Sequence, residues 1–159
     1  MLFGAAKFGA TADLGAATNE AQETVALQVA EQISDYLLTG AVTNALNSPS
    51  VTAEEAPRLK PFIALAEKLG AFAGQMVDFG IKAIDIAYEG DVAGLNAKPM
   101  TAAALAGVMR PMLGEITLVS ATAVANERGI TVSDSLQHAR PTYRGLSRID
   151  HTTQPGKLY

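Results

Sequence analysis

The 159-residue chain contains no cysteine and no tryptophan, only two histidines, and 6% aromatic residues. The lack of thiols excludes disulfides, thiolate metal sites, cysteine nucleophiles and thiol redox sensing. Scarce aromatics remove the stacking platforms that hold single-stranded nucleic acid. Positive charge is not in excess either: twelve Lys and Arg against sixteen Asp and Glu leave a net charge of −4, which opposes a phosphate-tracking field. No nucleic-acid partner is expected. No run approaches the roughly 18 apolar residues of a membrane span, and Met1-Leu2-Phe3-Gly4 lacks the basic region and apolar stretch of a signal peptide. The expectation is a cytoplasmic protein. Gly-x-Gly occurs nowhere, so neither a dinucleotide fingerprint nor a Walker phosphate loop is present. His-Glu-x-x-His and Gly-x-Ser-x-Gly are missing as well, so neither a zinc site nor a hydrolase triad is expected. No cofactor and no metal are anticipated on this chain.

Hydrophobic residues make up 48% and charged residues 18%, a globular composition with a core of Ala, Val, Leu, Ile and Met. The length allows one domain plus an appended arm. Charge is uneven along the chain. Residues 1–55 hold seven acids and one base, Lys7, whereas residues 128–159 hold five bases and two acids.

The Gly-, Ala- and Thr-rich residues 1–18 show no period and read as an extended arm. Thr18 or Asn19 as N-cap, Glu20 and Glu23 in the first turns and Gly40 as a left-handed stop predict a helix over 19–40. Its Val25, Val29, Ile33 and Leu37 form one apolar stripe, which needs a partner surface. Residues 41–51, with Thr43-Asn44-Ala45-Leu46-Asn47-Ser48-Pro49-Ser50, read as a linker. Residues 52–150 are expected to form an α+β domain, and 151–159 a tail.

Within that domain Thr52-Ala53-Glu54-Glu55 is a capping box, and Pro57 and Pro61 predict a short turn before the main helix. Leu59, Phe62, Ala66, Leu69, Phe72, Ala73 and Met76 advance by three and four as a buried face, and Gly70 and Gly74 one turn apart predict a close helix-to-sheet contact. Ile81 to Glu89 alternates as a strand, with Ile84, Ile86 and Tyr88 inward and Asp85 and Glu89 on a solvated face. A helix over Ala102–Leu113, with Leu105, Val108, Met109 and Met112 as its core stripe, is kinked or ended by Pro111. Glu115–Ser120 reads as a strand, Ala121–Arg128 as a short helix stopped by Gly129, and Ile130–Val132 as a short strand. Helices alternating with strands imply a small mixed sheet packed with helices.

Arg140, Arg144 and Arg148 recur every four residues, but Pro141 and Gly145 exclude a helical stripe. On a strand Arg144 and Arg148 share a face and could hold an anion, or simply guard an exposed edge, the favoured reading. His138 and His151 are expected in solvent rather than on a metal.

Several words together resemble long-form D-3-phosphoglycerate dehydrogenases. Leu14-Gly15-Ala16-Ala17-Thr18-Asn19-Glu20-Ala21-Gln22, Val29-Ala30-Glu31-Gln32-Ile33 and Thr43-Asn44-Ala45-Leu46-Asn47 are similar to the end of that family's catalytic region. Leu59-Lys60-Pro61-Phe62, Leu65-Ala66-Glu67-Lys68-Leu69-Gly70, Tyr88-Glu89-Gly90, Thr101 to Gly107 and Glu127-Arg128-Gly129-Ile130 resemble its intervening domain. The resemblance implies relatives that oxidise 3-phosphoglycerate with NAD in serine biosynthesis, through a Rossmann domain, an arginine, and a histidine assisted by a glutamate. That machinery would lie almost wholly upstream of Met1, and the serine-binding ACT domain is not among these residues. The family's Thr-Pro-His-Leu-Gly-Ala word reads Thr11-Ala12-Asp13-Leu14-Gly15-Ala16 here. Aspartate titrates near 3.9 against about 6.5 for histidine, so Asp13 does not inherit the role of general base at neutral pH.

The expected function is therefore that of a non-catalytic, pseudoenzyme-like derivative of D-3-phosphoglycerate dehydrogenase. It would serve as an oligomerisation or partner-binding subunit, forming a homo-oligomer or meeting a heteromeric partner such as a full-length dehydrogenase. The alternative is an anion- or metabolite-sensing regulatory part, for which the resemblance adds weight to Arg144 and Arg148 and, less, to Lys98.

Overall fold

The computed structural model describes residues 17–77, 80–138 and 145–153. The chain runs α1 (Asn19–Thr39), α2 (Ala56–Gln75), β1 (Ile81–Gly90), a 3-10 turn (Asp91–Gly94), α3 (Ala97–Leu113), α4 (Ala121–Glu127), β2 (Thr131–Gln137) and β3 (Gly145–Thr153). The strands form a mixed three-stranded sheet in the order β2-β1-β3, with β2 parallel and β3 antiparallel to β1. This is the expected α+β architecture. β3 continues to Thr153, across the 150/151 boundary drawn from the sequence.

Local chemistry sets most of the boundaries. The Thr18 hydroxyl accepts from the Ala21 amide at 3.1 Å, and Gly40, at φ 81°, closes α1 by donating to the Tyr36 carbonyl. Val42 and Val51 pair across residues 41–51 with two backbone hydrogen bonds, 2.7 and 2.9 Å long, so that segment is a closed loop. The capping box forms as read: the Thr52 hydroxyl accepts from the Glu55 amide, and the Glu55 carboxylate accepts from the Thr52 amide. α2 nevertheless begins at Ala56 and carries Pro61 inside it. Pro61 forgoes one intrahelical bond to the carbonyl of Pro57, and buried Leu59 and Ala66 on either side hold the helix to the core through the gap.

α3 is the centre of the domain. Met100, Ala103, Ala104, Leu105, Ala106, Val108 and Met109 are fully buried, because α3 lies between α2 and the sheet face carrying Ile84, Ile86 and Tyr88. The α2–α3 contact overturns two expectations. Gly70 and Gly74 meet a helix and not the sheet: a methyl group on either would run into the carbonyl of Ala104 or Val108. Gly107 returns the contact, and a methyl there would meet the Glu67 carbonyl and the Ala71 amide nitrogen. The small side chains therefore select which face of α2 is buried, leaving Phe72 and Met76 outside it, 66% and 64% exposed. Met112 is likewise exposed, since Pro111 falls in the last turn of α3 and the helix stops at Gly114.

Glu115–Ser120 is not a strand. The Thr117 and Ser120 hydroxyls accept from each other's amides at 3.2 and 3.1 Å, a local closure that outcompetes sheet pairing and leads into α4. β2 is longer than Ile130–Val132, because Ser133 to Gln137 continue the parallel ladder opposite Asp85 to Glu89. Glu89, expected in solvent, is only 3% exposed, as is Ala87 before it at 6%, whereas Asp85 on the same face of β1 stays exposed.

Candidate functional site

Two surfaces stand out on this fold. The first is α1. None of its residues is buried, and Val25, Val29, Ile33 and Leu37, the expected stripe, are all exposed, Leu37 by 75%. At 100° per residue Tyr36 joins the same face, whereas Leu27 and Leu38 lie on the opposite one. A 21-residue helix with no buried side chain has only backbone bonds and caps to hold it, and lacks the packing of an apolar face from which most helices in proteins draw their stability. Beneath its last turn lies a groove of about 500 Å³. Tyr36 to Thr39 line one side, Val42 and Val51 the floor, and Lys60, Ile63 and Glu67 of α2 the other side, with Leu118 and Val119 closing the end. Arg110 fixes the rim: its guanidinium donates to Glu67 at 2.7 Å and to the Ile116 carbonyl at 3.3 Å. The sequence did not signal this groove, because five separate segments build it.

The second surface is the outer face of the sheet. Even-numbered side chains of β1 point to the helices, so Asp85, Ala87 and Glu89 point outward, with Ser133 and Ser135 of β2 and Arg148 and Asp150 of β3 beside them. The Ser133 hydroxyl donates to the Asp85 carboxylate. The Arg148 guanidinium forms an exposed ion pair with Asp150 at 3.0 Å, and Asp150 lies directly opposite Asp85 in the ladder. Arg148 is thus engaged by one carboxylate with a second nearby. Lys98 sits in the first turn of α3, in the helical layer behind the sheet, and is not brought to Arg148. Arg144 and Asp13 lie outside the described residues. Asp150 was the missed member of the set, although two residues apart on a strand share a face, so the signal was present.

Among the remaining titratable groups, Tyr88 is the perturbed one. Burial pushes its phenol up to about 12, the nearby Asp134 charge adds to that, and the 3.2 Å hydrogen bond to Thr101 opposes it. This is a core hydroxyl and not an acid or base aimed at solvent. His138 is exposed and His151 half-buried on β3. Among the described residues no group of three or more His, Cys, Asp or Glu could hold a metal, and no helix is long and apolar enough to cross a membrane.

Comparison with known proteins bears on both surfaces. Residues 58–158 match the model of the D-3-phosphoglycerate dehydrogenase intervening domain. The chain is 36% identical to a D-3-phosphoglycerate dehydrogenase of Synechocystis over 149 residues, covering 92% of this chain and 27% of that protein. It is 35% identical to one of Bacillus subtilis, covering 84% and 26%, and 36% identical to one of Archaeoglobus fulgidus, covering 87% and 27%. The chain therefore spans about a quarter of the length of the curated relatives it matches. An alignment over 92% of the chain necessarily includes α1, which lies upstream of the matched domain.

Proposed function

From the premise that the chain belongs to the D-3-phosphoglycerate dehydrogenase intervening-domain family, we infer that it acts as a non-catalytic interaction module, with the exposed stripe of α1 as its docking surface. The occupant we assign is the catalytic body of a D-3-phosphoglycerate dehydrogenase chain. The observation that carries this reading is that α1 aligns with such enzymes outside the domain matched at 58–158, yet packs none of its residues here. A helix kept in register with an enzyme's sequence while presenting Val25, Val29, Ile33, Tyr36 and Leu37 to water is a half-interface. Each such side chain gains up to roughly 1.5–3 kcal/mol on full burial. Their exposures run from 46% at Val25 to 75% at Leu37, so about half or more of each remains to be covered, and the five together offer several kcal/mol toward association.

By the resemblance of Thr11-Ala12-Asp13-Leu14-Gly15-Ala16 to the family's histidine-bearing word, Asp13 would stand where the histidine does, which favours a role in assembly or regulation over proton exchange with a substrate. By this reading the biological setting is that of the relatives, oxidation of 3-phosphoglycerate toward serine. Anion sensing at Arg148 is the weaker reading, because Asp150 already occupies its guanidinium. The test is to mix the chain with full-length D-3-phosphoglycerate dehydrogenase from the same cell and follow co-sedimentation, for the native chain and for a Val29→Glu/Ile33→Glu variant. Co-sedimentation that the variant abolishes is the expected result. No complex, or one the variant leaves intact, would overturn the assignment.

A further inference from the structure

We propose that the groove beneath the last turn of α1 binds a small organic acid, one that carries a single negative charge on an apolar body, as a medium-chain carboxylate does. The proposal concerns the space between that turn and α2 and does not rest on the docking reading above. A groove of about 500 Å³ is of the size that takes a small molecule. Its walls are fixed by contacts that are independent of any ligand. Ala56, Lys60, Ile63, Ala64 and Glu67 fall within one 100° arc of α2 and form a single face toward the groove. The Val42–Val51 bridge holds the floor, and the Asn96 side-chain amide fastens that loop to the start of α3 by donating to the Ser50 carbonyl at 2.9 Å. Every lining residue is among those described, and the groove lies at the C-terminal end of α1, about 30 Å along the helix from Asn19.

The charges select the ligand. Lys60 and Glu67 are the charged side chains of the lining. Glu67 is neutralised by Arg110 at 2.7 Å, and the Ile116 carbonyl holds that guanidinium in place. Lys60 has no ion pair among the described residues. The groove therefore carries one uncompensated positive charge on walls that are otherwise mostly apolar. A lysine in such a place lays its methylene stem along the wall and keeps its ammonium in water, where a carboxylate can accept a charge-assisted hydrogen bond from it. The hydrocarbon body of the acid then covers Leu37, Ile63, Leu118 and Val119, and the apolar surface removed from water drives binding. A phosphorylated metabolite does not match this site. It brings two or more negative charges to one lysine, offers no apolar body, and finds no free guanidinium fork, because Arg110 is committed to Glu67. A neutral alcohol of the same length forgoes the ammonium, and an alkyl cation opposes it.

Isothermal titration of the full chain with octanoate, octanol and octylammonium, each below its micellar range, tests this. Octanoate is expected to bind at least about tenfold more tightly than either counterpart. Amide-resolved NMR is expected to place its shifts at Gly40, Val51, Ile63 and Val119, and not at Phe72 or Met76, which are exposed on another face of α2. Lys60→Gln should weaken octanoate at least about tenfold and leave octanol as it was, whereas Lys60→Arg should retain the preference for the acid. Ala64→Leu, which fills the groove from the α2 wall, should abolish binding of octanoate and octanol alike. Lys60 and Ala64 are both exposed and outside the core, so these variants test the site and not the fold. No heat with octanoate, equal affinity for octanol, binding undiminished in Lys60→Gln, or shifts centred on Phe72 and Met76 would overturn the proposal. So would displacement of octanoate by inorganic phosphate at the same concentration, which would mark a general anion site.

Discussion

Replacing Gly107 by alanine probes the contact on which the whole domain is built. In an unobstructed helix the change would stabilise by about 0.5–1 kcal/mol, because glycine loses the most backbone entropy on folding. Here the new methyl carbon would stand 2.7 Å from the Ala71 amide nitrogen and 3.0 Å from the Gly70 carbonyl carbon, with the Glu67 carbonyl nearer still. Ordinary carbon contacts need about 3.5–4 Å, so α2 and α3 must part by roughly 1 Å. The neighbours are helix backbone and cannot swing aside. That separation also loosens Gly70 against Ala104 and Gly74 against Val108, so the strain falls at the upper end of the 1–3 kcal/mol typical of overpacking. After the helix-propensity gain is subtracted, a net loss of about 2 kcal/mol is expected, or roughly 8 °C in melting temperature for a domain of this size. Urea and thermal melts followed by far-UV circular dichroism measure it. Gly94→Ala, where nothing lies within 4 Å of the added carbon, is the control and should change stability by no more than about 0.5 kcal/mol. A Gly107→Ala protein as stable as the native chain would refute the interlocked-helix account.

Two further outcomes follow from particular contacts. The Tyr88 phenol titrates at about 12 in the fold against 10.0 for an unperturbed tyrosine. Folding thus holds the proton, so its stabilisation is complete below pH 10 and is lost as pH rises toward 12. Urea midpoints at about pH 9 and pH 11 should diverge in the native chain, and a Tyr88→Phe protein should lose that part of the difference. An unchanged pH dependence in the phenylalanine variant would place the alkaline loss elsewhere. Thr52→Ala removes the hydroxyl that accepts from the Glu55 amide at 3.2 Å and should cost about 1 kcal/mol in urea melts. No loss would mean that the paired Val42–Val51 loop alone sets the entry to α2.

The parts of the fold legible in the sequence are those fixed by neighbours along the chain. Thr18 and Gly40 mark the two ends of α1, and the alternation of Ile84, Ile86 and Tyr88 fixes both the strand and its inward face. What was misread is what packing decides. Phe72 and Met76 continue a periodic apolar face, but Gly70 and Gly74 let α3 approach so closely that the glycine face won, a choice a sum of hydrophobicities does not register. The run Ala102 to Gly107 was the available signal, since two helices approach this closely only where both carry small residues. Thr117 and Ser120 closed a turn where the apolar content of Ile116, Leu118 and Val119 suggested a strand. Of the candidate site, the α1 stripe was plain because a helix with good caps and one apolar face is self-announcing. The partnership of Arg148 with Asp150 was carried by their two-residue spacing, but the boundary drawn at 150/151 cut through the strand that holds them side by side.

The central claim is that α1 is half of an interface with a dehydrogenase chain, and hydrogen exchange of the α1 amides tests it most directly. Alone, the helix has no buried residue and should exchange quickly along Asn19–Thr39, well ahead of the amides of α3. On adding full-length D-3-phosphoglycerate dehydrogenase, the account predicts that exchange across Val25 to Leu37 slows by at least about tenfold while α3 is unchanged. Exchange across α1 that is the same with and without the dehydrogenase would contradict it.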